Sequence, residues 1–206
     1  MFGAGRRAGL VPDEVSLEHV GFGLVLGDDG KKIKTRAGEA VKLRELLMEA
    51  ISRARVDLVQ RLTERGELGR SHWSEEQIDA VAKVLGIGSV KYADLCMHRE
   101  GTYKFSYDKM LSMSGNTAPY MIYCYVRVRG IHRKVMAITD DSERISDWDS
   151  ATPPSLPHAA DVALGVQLLR FSEVLEVVAE KAYPHKVEKV FIACACYSRS
   201  YPYGEC

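Results

Sequence analysis

Apolar residues recur at helical spacing over several long stretches of the chain and alternate with polar ones over two short ones. Val41, Leu43, Leu46, Leu47, Ala50, Ile51, Leu58 and Leu62 share a helical face, which predicts a helix ended by Gly66 and Gly69. Glu49 with Arg53 and Asp57 with Arg61 are favourable pairs four residues apart on it. Ser74-Glu75-Glu76-Gln77 spells a capping box, with Trp73 and Ile78 placed to staple it, so a second helix starts there. It is expected to run to about Leu85, where Gly86 and Gly88 divide it from another helix carrying residues 91–97. Asp108 is expected to cap a brief helix through Met110 and Leu111. Asn116 is a good N-cap and Pro119 is tolerated in a first turn, which predicts a helix over 117–136. A long amphipathic helix is expected over 161–182, stopped by Pro184.

The alternating stretches predict a strand over 17–26 and a strand or extended link over 102–107. Gly21 and Gly23 hint at close backbone approach within the first. Residues 139–157 are acidic and proline-rich and read as an exposed connection. Residues 190–196 are apolar, uncharged and β-like, a pattern that aggregates when exposed. The chain is therefore expected to be mainly α with a few strands.

Composition narrows the class. With 46% hydrophobic and 27% charged residues, 206 residues can form one large or two small domains. No apolar run nears the about 20 residues a membrane span requires. The opening Met1-Phe2-Gly3-Ala4-Gly5-Arg6-Arg7 lacks a secretory signal's apolar region, so a cytoplasmic protein with no membrane partner is expected. The net charge is +0 and does not single out a nucleic-acid partner. Locally, Arg127, Arg129, His132, Arg133 and Lys134 cluster and could follow a phosphate backbone, a solvated helix face being the alternative. Tyr120, Tyr123 and Tyr125 stand close by and could stack on unpaired bases, though core packing of at least two of them is expected. Cys96, Cys124, Cys194, Cys196 and Cys206 form no CxxC pair, and His98, His132, His158 and His185 show no ligand spacing, so no metal site is expected.

The most informative stretch is Gly27-Asp28-Asp29-Gly30-Lys31-Lys32-Ile33-Lys34-Thr35-Arg36-Ala37-Gly38. Three lysines and an arginine within six positions, on a glycine-rich loop, suit an anionic phosphate group, while a solvated hairpin tip remains open from the residues alone. Neither GxxxxGK[ST] nor GxGxxG after a strand is present, which disfavours a general phosphate-binding enzyme.

Four blocks in register carry a resemblance. The segment Lys32-Ile33-Lys34-Thr35-Arg36-Ala37-Gly38 resembles the KMSKS-type loop of arginyl-tRNA synthetases, class I enzymes that often carry KMSTRKG or KFKTRAG there. Glu18-His19-Val20-Gly21-Phe22-Gly23 resembles the strand before that loop. Gly86-Ile87-Gly88-Ser89-Val90-Lys91-Tyr92-Ala93-Asp94-Leu95 is similar to VGIGAVKYADL. Phe105-Ser106-Tyr107-Asp108-Lys109-Met110-Leu111, followed by Gly115-Asn116-Thr117-Ala118-Pro119-Tyr120, resembles FDWDxML and GNTAPY. A looser block, Ala163 to Phe171, resembles ALxLLRF.

The resemblance implies the C-terminal edge of a Rossmann-type catalytic domain over 1–115, followed by an incomplete all-α anticodon-binding bundle over 116–206 whose tail diverges from about 186. It implies an arginine–tRNA ligase using ATP, with Mg as counter-ion, and acting on arginine and tRNA-Arg as a monomer. The main alternative is a non-catalytic tRNA-binding or interaction fragment of the same family. Lys32, Lys34 and Arg36 are the implied catalytic cations. His19, Gly21, Lys32, Lys34 and Thr35 are implied at ATP, and Tyr123, Arg127 and Arg133 at tRNA. Lys91, Tyr92 and Asp94 are implied on a structural or tRNA-facing helix, a core helix with a satisfied tyrosine being the expected form. Thr35 stands where a plain KMSKS has its second lysine. The HIGH motif and arginine-binding residues have no counterpart in these 206 residues, so the chain is expected to be inactive alone.

Overall fold

The computed structural model describes residues 1–27, 30–31, 42–66, 73–138 and 158–199. In order they form α1 (Phe2–Arg7), β1 (Val25–Leu26), α2 (Leu43–Glu64), α3 (Glu75–Leu95), β2 (Tyr103–Lys104), α4 (Tyr107–Met110), α5 (Ala118–Ile138), α6 (Ala159–Leu169), α7 (Phe171–Lys181) and α8 (His185–Arg199). The chain is mainly α, as its periodicity predicts. Of the alternating stretch at 17–26 only Val25–Leu26 is regular strand, because β2 is its sole strand partner among the described residues. The pairing is parallel, Val25 opposite Tyr103 and Leu26 opposite Lys104. The predicted connection at 139–157 lies outside the described residues.

α2 and α3 form the central hairpin. Ala50, Ala54 and Ala82 are buried with Ile78 and Leu62, and these small side chains allow close approach of the two helices. The capping box at the start of α3 forms as expected: Gln77 N donates to Ser74 Oγ at 3.2 Å and Ser74 N to Gln77 Oε1 at 2.9 Å. Arg55 on α2 reaches Asp79 at 2.6 Å and also Glu75, fastening the first turns of α3 to α2 at the exposed edge of the hairpin.

The expected division of α3 at Gly86 and Gly88 is not found, and α3 runs unbroken from Glu75 to Leu95. Gly86 serves packing instead. A Cβ there would lie 2.7 Å from the Ile51 Cα and backbone N, so hydrogen is the only substituent that lets the helices meet. That contact offsets the roughly 1 kcal/mol a helical glycine costs.

Other expectations are corrected by local geometry. Ser106, extended at φ −142°, precedes α4, while Asp108 lies inside it and reaches Arg53 on α2 at 3.4 Å. Asn116 does not cap α5: its Oδ1 accepts from Tyr92 OH at 2.6 Å, and Thr117 Oγ1 accepts from Tyr120 N at 3.3 Å. The helix expected over 161–182 is two, parted at Arg170 (φ −79°, ψ −2°), which turns the chain so that α6 and α7 both pack on α8. Residues 190–196 are helical, not β-like, with Val190 and Ala195 buried in the bundle. No described helix is long and apolar enough to cross a membrane.

The two glycines of α3 should respond oppositely to the same change. Gly86→Ala is expected to lower stability by about 1–3 kcal/mol through overpacking. Gly88→Ala, where nothing lies within 4 Å, should raise it by about 0.5–1 kcal/mol. Urea unfolding of the two variants checks both, and equal effects would refute the packing account.

Candidate functional site

β1 delivers the chain to the cationic stretch. Tyr103 N donates to Leu24 O at 3.1 Å and Phe105 N to Leu26 O at 2.7 Å, so β2 holds both ends of the strand. A turn follows, closed by Gly30 N to Gly27 O at 2.9 Å and Gly27 N to Lys31 O at 2.8 Å. Gly30 has φ +72°, a left-handed conformation that favours glycine. Lys32, Lys34, Thr35 and Arg36 lie outside the described residues.

One cation that the sequence reading passed over stands at this turn. A methyl group added to Gly30 would lie 3.7 Å from Lys104 Cε and 3.8 Å from its Nζ. The parallel register places Lys104 opposite Leu26, next to where the turn begins. Nothing in local spacing joins residues 30 and 104, so only the β1–β2 pairing reveals the neighbour.

His19 and Gly21 precede β1 on an irregular segment, His19 exposed. The hint of close backbone approach holds at Gly23, where a Cβ would fall 1.9 Å from the Gly101 carbonyl oxygen. It fails at Gly21, where nothing described comes within 4 Å.

Helix α5 bears the tyrosines and cations. Tyr120 and Cys124 are buried against Ala195 of α8, with Met121 and Ile192 beside them. Tyr123 and Tyr125 are 48% and 65% exposed, which corrects the expectation that at least two of the three tyrosines enter the core. At about 100° per residue, Tyr123, Arg127 and Lys134 share one stripe, and Tyr125, Arg129 and His132 another roughly opposite. Arg133 lies between them, so the helix brings Tyr123 and Arg127 together but not Arg133.

Tyr92 is a satisfied structural tyrosine, bonded to Asn116, and Asp94 Oδ1 accepts from Tyr103 OH at 3.0 Å. Both bonds fasten α3 to the segments that follow it. Ser89, Tyr92, Ala93 and Cys96 form one stripe of α3 lining a cavity of about 370 Å³ that Lys104, Lys109 and Asn116 also border. Glu188 of α8 faces Tyr92 and Cys96; its burial raises its carboxyl to about 8, and its Oε2 has no partner among the described residues. Cys96 is itself pushed up to about 11 by burial and then by Glu188. Among the histidines, His98 and His185 pack together at 4.9 Å between ring centres. No group of three or more His, Cys, Asp or Glu among the described residues could hold a metal ion.

Three comparisons bear on this geometry. The family profile described as tRNA synthetases class I (R), catalytic domain, matches residues 1–107. The arginine–tRNA ligase of Thermosynechococcus vestitus is 46% identical over 190 residues, covering 91% of this chain and 30% of that protein. The arginine–tRNA ligase of a Cyanothece species is 48% identical over 187 residues, with the same coverage of 91% and 30%. The crystal structure of Plasmodium falciparum arginyl-tRNA synthetase superposes with a TM-score of 0.70 at 30% identity, covering 97% of this chain and 31% of that one. Thermus thermophilus arginyl-tRNA synthetase gives 0.65 at 24% identity, covering 91% and 27%, and shares the fold. The chain thus spans about 30% of the length of the curated relatives it matches.

Glu188 sets a pH dependence of stability. With its carboxyl raised from about 4.5 to about 8, the folded state holds the proton longer than the unfolded chain. The stabilisation is complete below about 4.5 and is lost as pH rises through about 8. Glu188→Gln, neutral throughout, should therefore match the parent near pH 4 and exceed it by on the order of 4 kcal/mol near pH 8. Unfolding curves at both pH values check this, and a gain independent of pH would refute it.

Proposed function

Because the chain belongs to the class I arginyl-tRNA synthetase family, we propose that it works as part of a longer arginine–tRNA ligase, supplying the cationic stretch at its ATP and the beginning of its tRNA-binding bundle. The observation that supports this most is continuous similarity to arginine–tRNA ligases over 91% of the chain. On this reading residues 1–115 are the end of the catalytic domain and 116–206 the start of the anticodon-binding bundle, with a tail diverging from about 186. The substrates are arginine, ATP with Mg as counter-ion, and tRNA-Arg, and the enzyme acts as a cytoplasmic monomer.

In the activation step a carboxylate oxygen of arginine attacks the α-phosphorus of ATP, and the bond to the bridging oxygen breaks to release pyrophosphate. A ribose hydroxyl at the end of the tRNA then takes the arginyl group. Charge accumulates on the departing β- and γ-phosphates, so cations that tighten there lower the barrier. Lys32 and Lys34 fill that role with Arg36 as the auxiliary cation, and Lys104, beside the turn at Gly30, adds positive potential at its base. Thr35 is a neutral donor to a phosphate oxygen, and His19 and Gly21 border the adenosine. The many cations of this segment suit a triphosphate that carries its own Mg.

A second role needs no chemistry. Exposed Tyr123 beside Arg127 offers a ring for base stacking next to a guanidinium for phosphate, so the chain alone is expected to hold RNA.

In a longer form that charges tRNA, replacing Lys32 and Lys34 together by Met is expected to lower the charging rate about a hundredfold, near 3 kcal/mol. An unchanged rate would sink the assignment. The purified 206-residue chain should give no arginine-dependent ATP–pyrophosphate exchange, and measurable exchange would show that the upstream half is dispensable. On this chain, Tyr123→Ala with Arg127→Gln should weaken tRNA binding more than Arg133→Gln does; filter binding that ranks them the other way would refute the stripe.

A further inference from the structure

Arg99 is bonded in two directions. Its backbone carbonyl accepts from Gly23 N at 2.8 Å, just before β1. There Gly23 seats against the Gly101 carbonyl so closely that no Cβ would fit. Its side chain points to the bundle: Nη1 donates to the carbonyls of Lys181 and Ala182, at 3.3 Å each. These carbonyls lie at the end of α7, where a helix leaves its last acceptors without partners. The guanidinium also lies over the Tyr183 ring at 5.1 Å.

The turn it holds is not a relaxed one. Ala182 has φ +50°, the only non-glycine residue with positive φ among the described residues. For alanine that conformation costs about 1–2 kcal/mol, so something around it must sustain it. His98, adjacent to Arg99, completes the seat by packing on Tyr183 and on buried His185, each at 4.9 Å between ring centres. The Arg99 side chain is only 20% exposed, which reduces competition from water.

We propose that Arg99 is a positioning residue: it clamps the α7–α8 turn of the bundle onto the segment that fixes β1, linking the seat of the bundle to that of the strand leading toward residues 32–36. A simple helix cap would account for the side-chain bonds but not for the backbone bond to Gly23 or the strained alanine beside it. A lysine could reach the α7 carbonyls with one nitrogen, yet it lacks the planar face that lies on Tyr183. The value of the clamp to catalysis rests on the ligase reading, whereas the clamp itself is read without any charging activity. Failure of one therefore leaves the other standing.

Amide hydrogen exchange on the 206-residue chain tests it, comparing Arg99→Met and Arg99→Lys with the parent. In Arg99→Met the amides of Ala182, Gly23 and Tyr103 should exchange together, roughly fivefold faster, while Ile78 and Ala82 in the α2–α3 core keep their protection. Arg99→Lys should restore part of the protection at Ala182 and a matching part at Gly23 and Tyr103. Faster exchange at Ala182 alone would reduce Arg99 to a cap on α7 and overturn the proposal. Uniform acceleration that includes Ile78 and Ala82, or no change at all, would overturn it as well. Should Arg99→Met fail to fold, the pattern in Arg99→Lys decides by the same criteria.

Discussion

The backbone contact between α2 and α3 at Gly86 is the constraint on which the rest depends. With no side chain at 86, α3 lies against Ala50 and Ile51 and is held there by Ala50, Ala54 and Ala82. This fixes the angular position of its distal half, and the stripe Ser89, Tyr92, Ala93 and Cys96 is thereby turned toward β2, α4 and α5. From that stripe Tyr92 holds Asn116, while Asp94, roughly opposite it round the helix, holds Tyr103. Helix α5, with its exposed tyrosines and cations, and the strand pair that leads toward the cationic stretch are thus hung from one rod.

Chemistry and scaffold are separated along the chain. The cationic stretch follows in sequence on a short parallel pair, and exposed tyrosines and arginines line the faces of α5. Surface ion pairs such as Glu49 with Arg53 and Asp57 with Arg61 lie between and add little, since both partners are about half exposed. Burial does more: Tyr120 and Cys124 pack against Ala195 and join α5 to α8, while the Tyr92–Asn116 bond ties the segment just before α5 to α3 at the surface. Glu188 is the exception, a carboxyl placed where only its neutral form is comfortable.

Signals made by neighbours in sequence were legible. The Ser74 capping box, the helix behind the loop and the start of α5 at Pro119 follow from spacing of three or four residues. What misled was residue type read without partners. Gly86 looks like a breaker until α2 is seen against it, and Asn116 looks like a cap until Tyr92 takes its oxygen. The apolar run at 190–196 looks like a strand, yet α5 and α6 offer its buried side a helical seat. At the candidate site the cationic motif was plain, while Lys104 and Arg99 owe their positions to partners seventy or more residues away, which no local pattern encodes.

The meeting of Gly23 with Gly101 has a consequence for how the strand tolerates change. Its grip there is made by main-chain atoms on both sides, with the N–H of residue 23 engaged as well. Attachment is therefore indifferent to the flanking side chains, and Phe22, 85% exposed, and Leu24, 57% exposed, are at liberty to vary with whatever covers them. A segment anchored in this way can exchange its apolar identity over evolutionary time while one small residue stays put as its rivet.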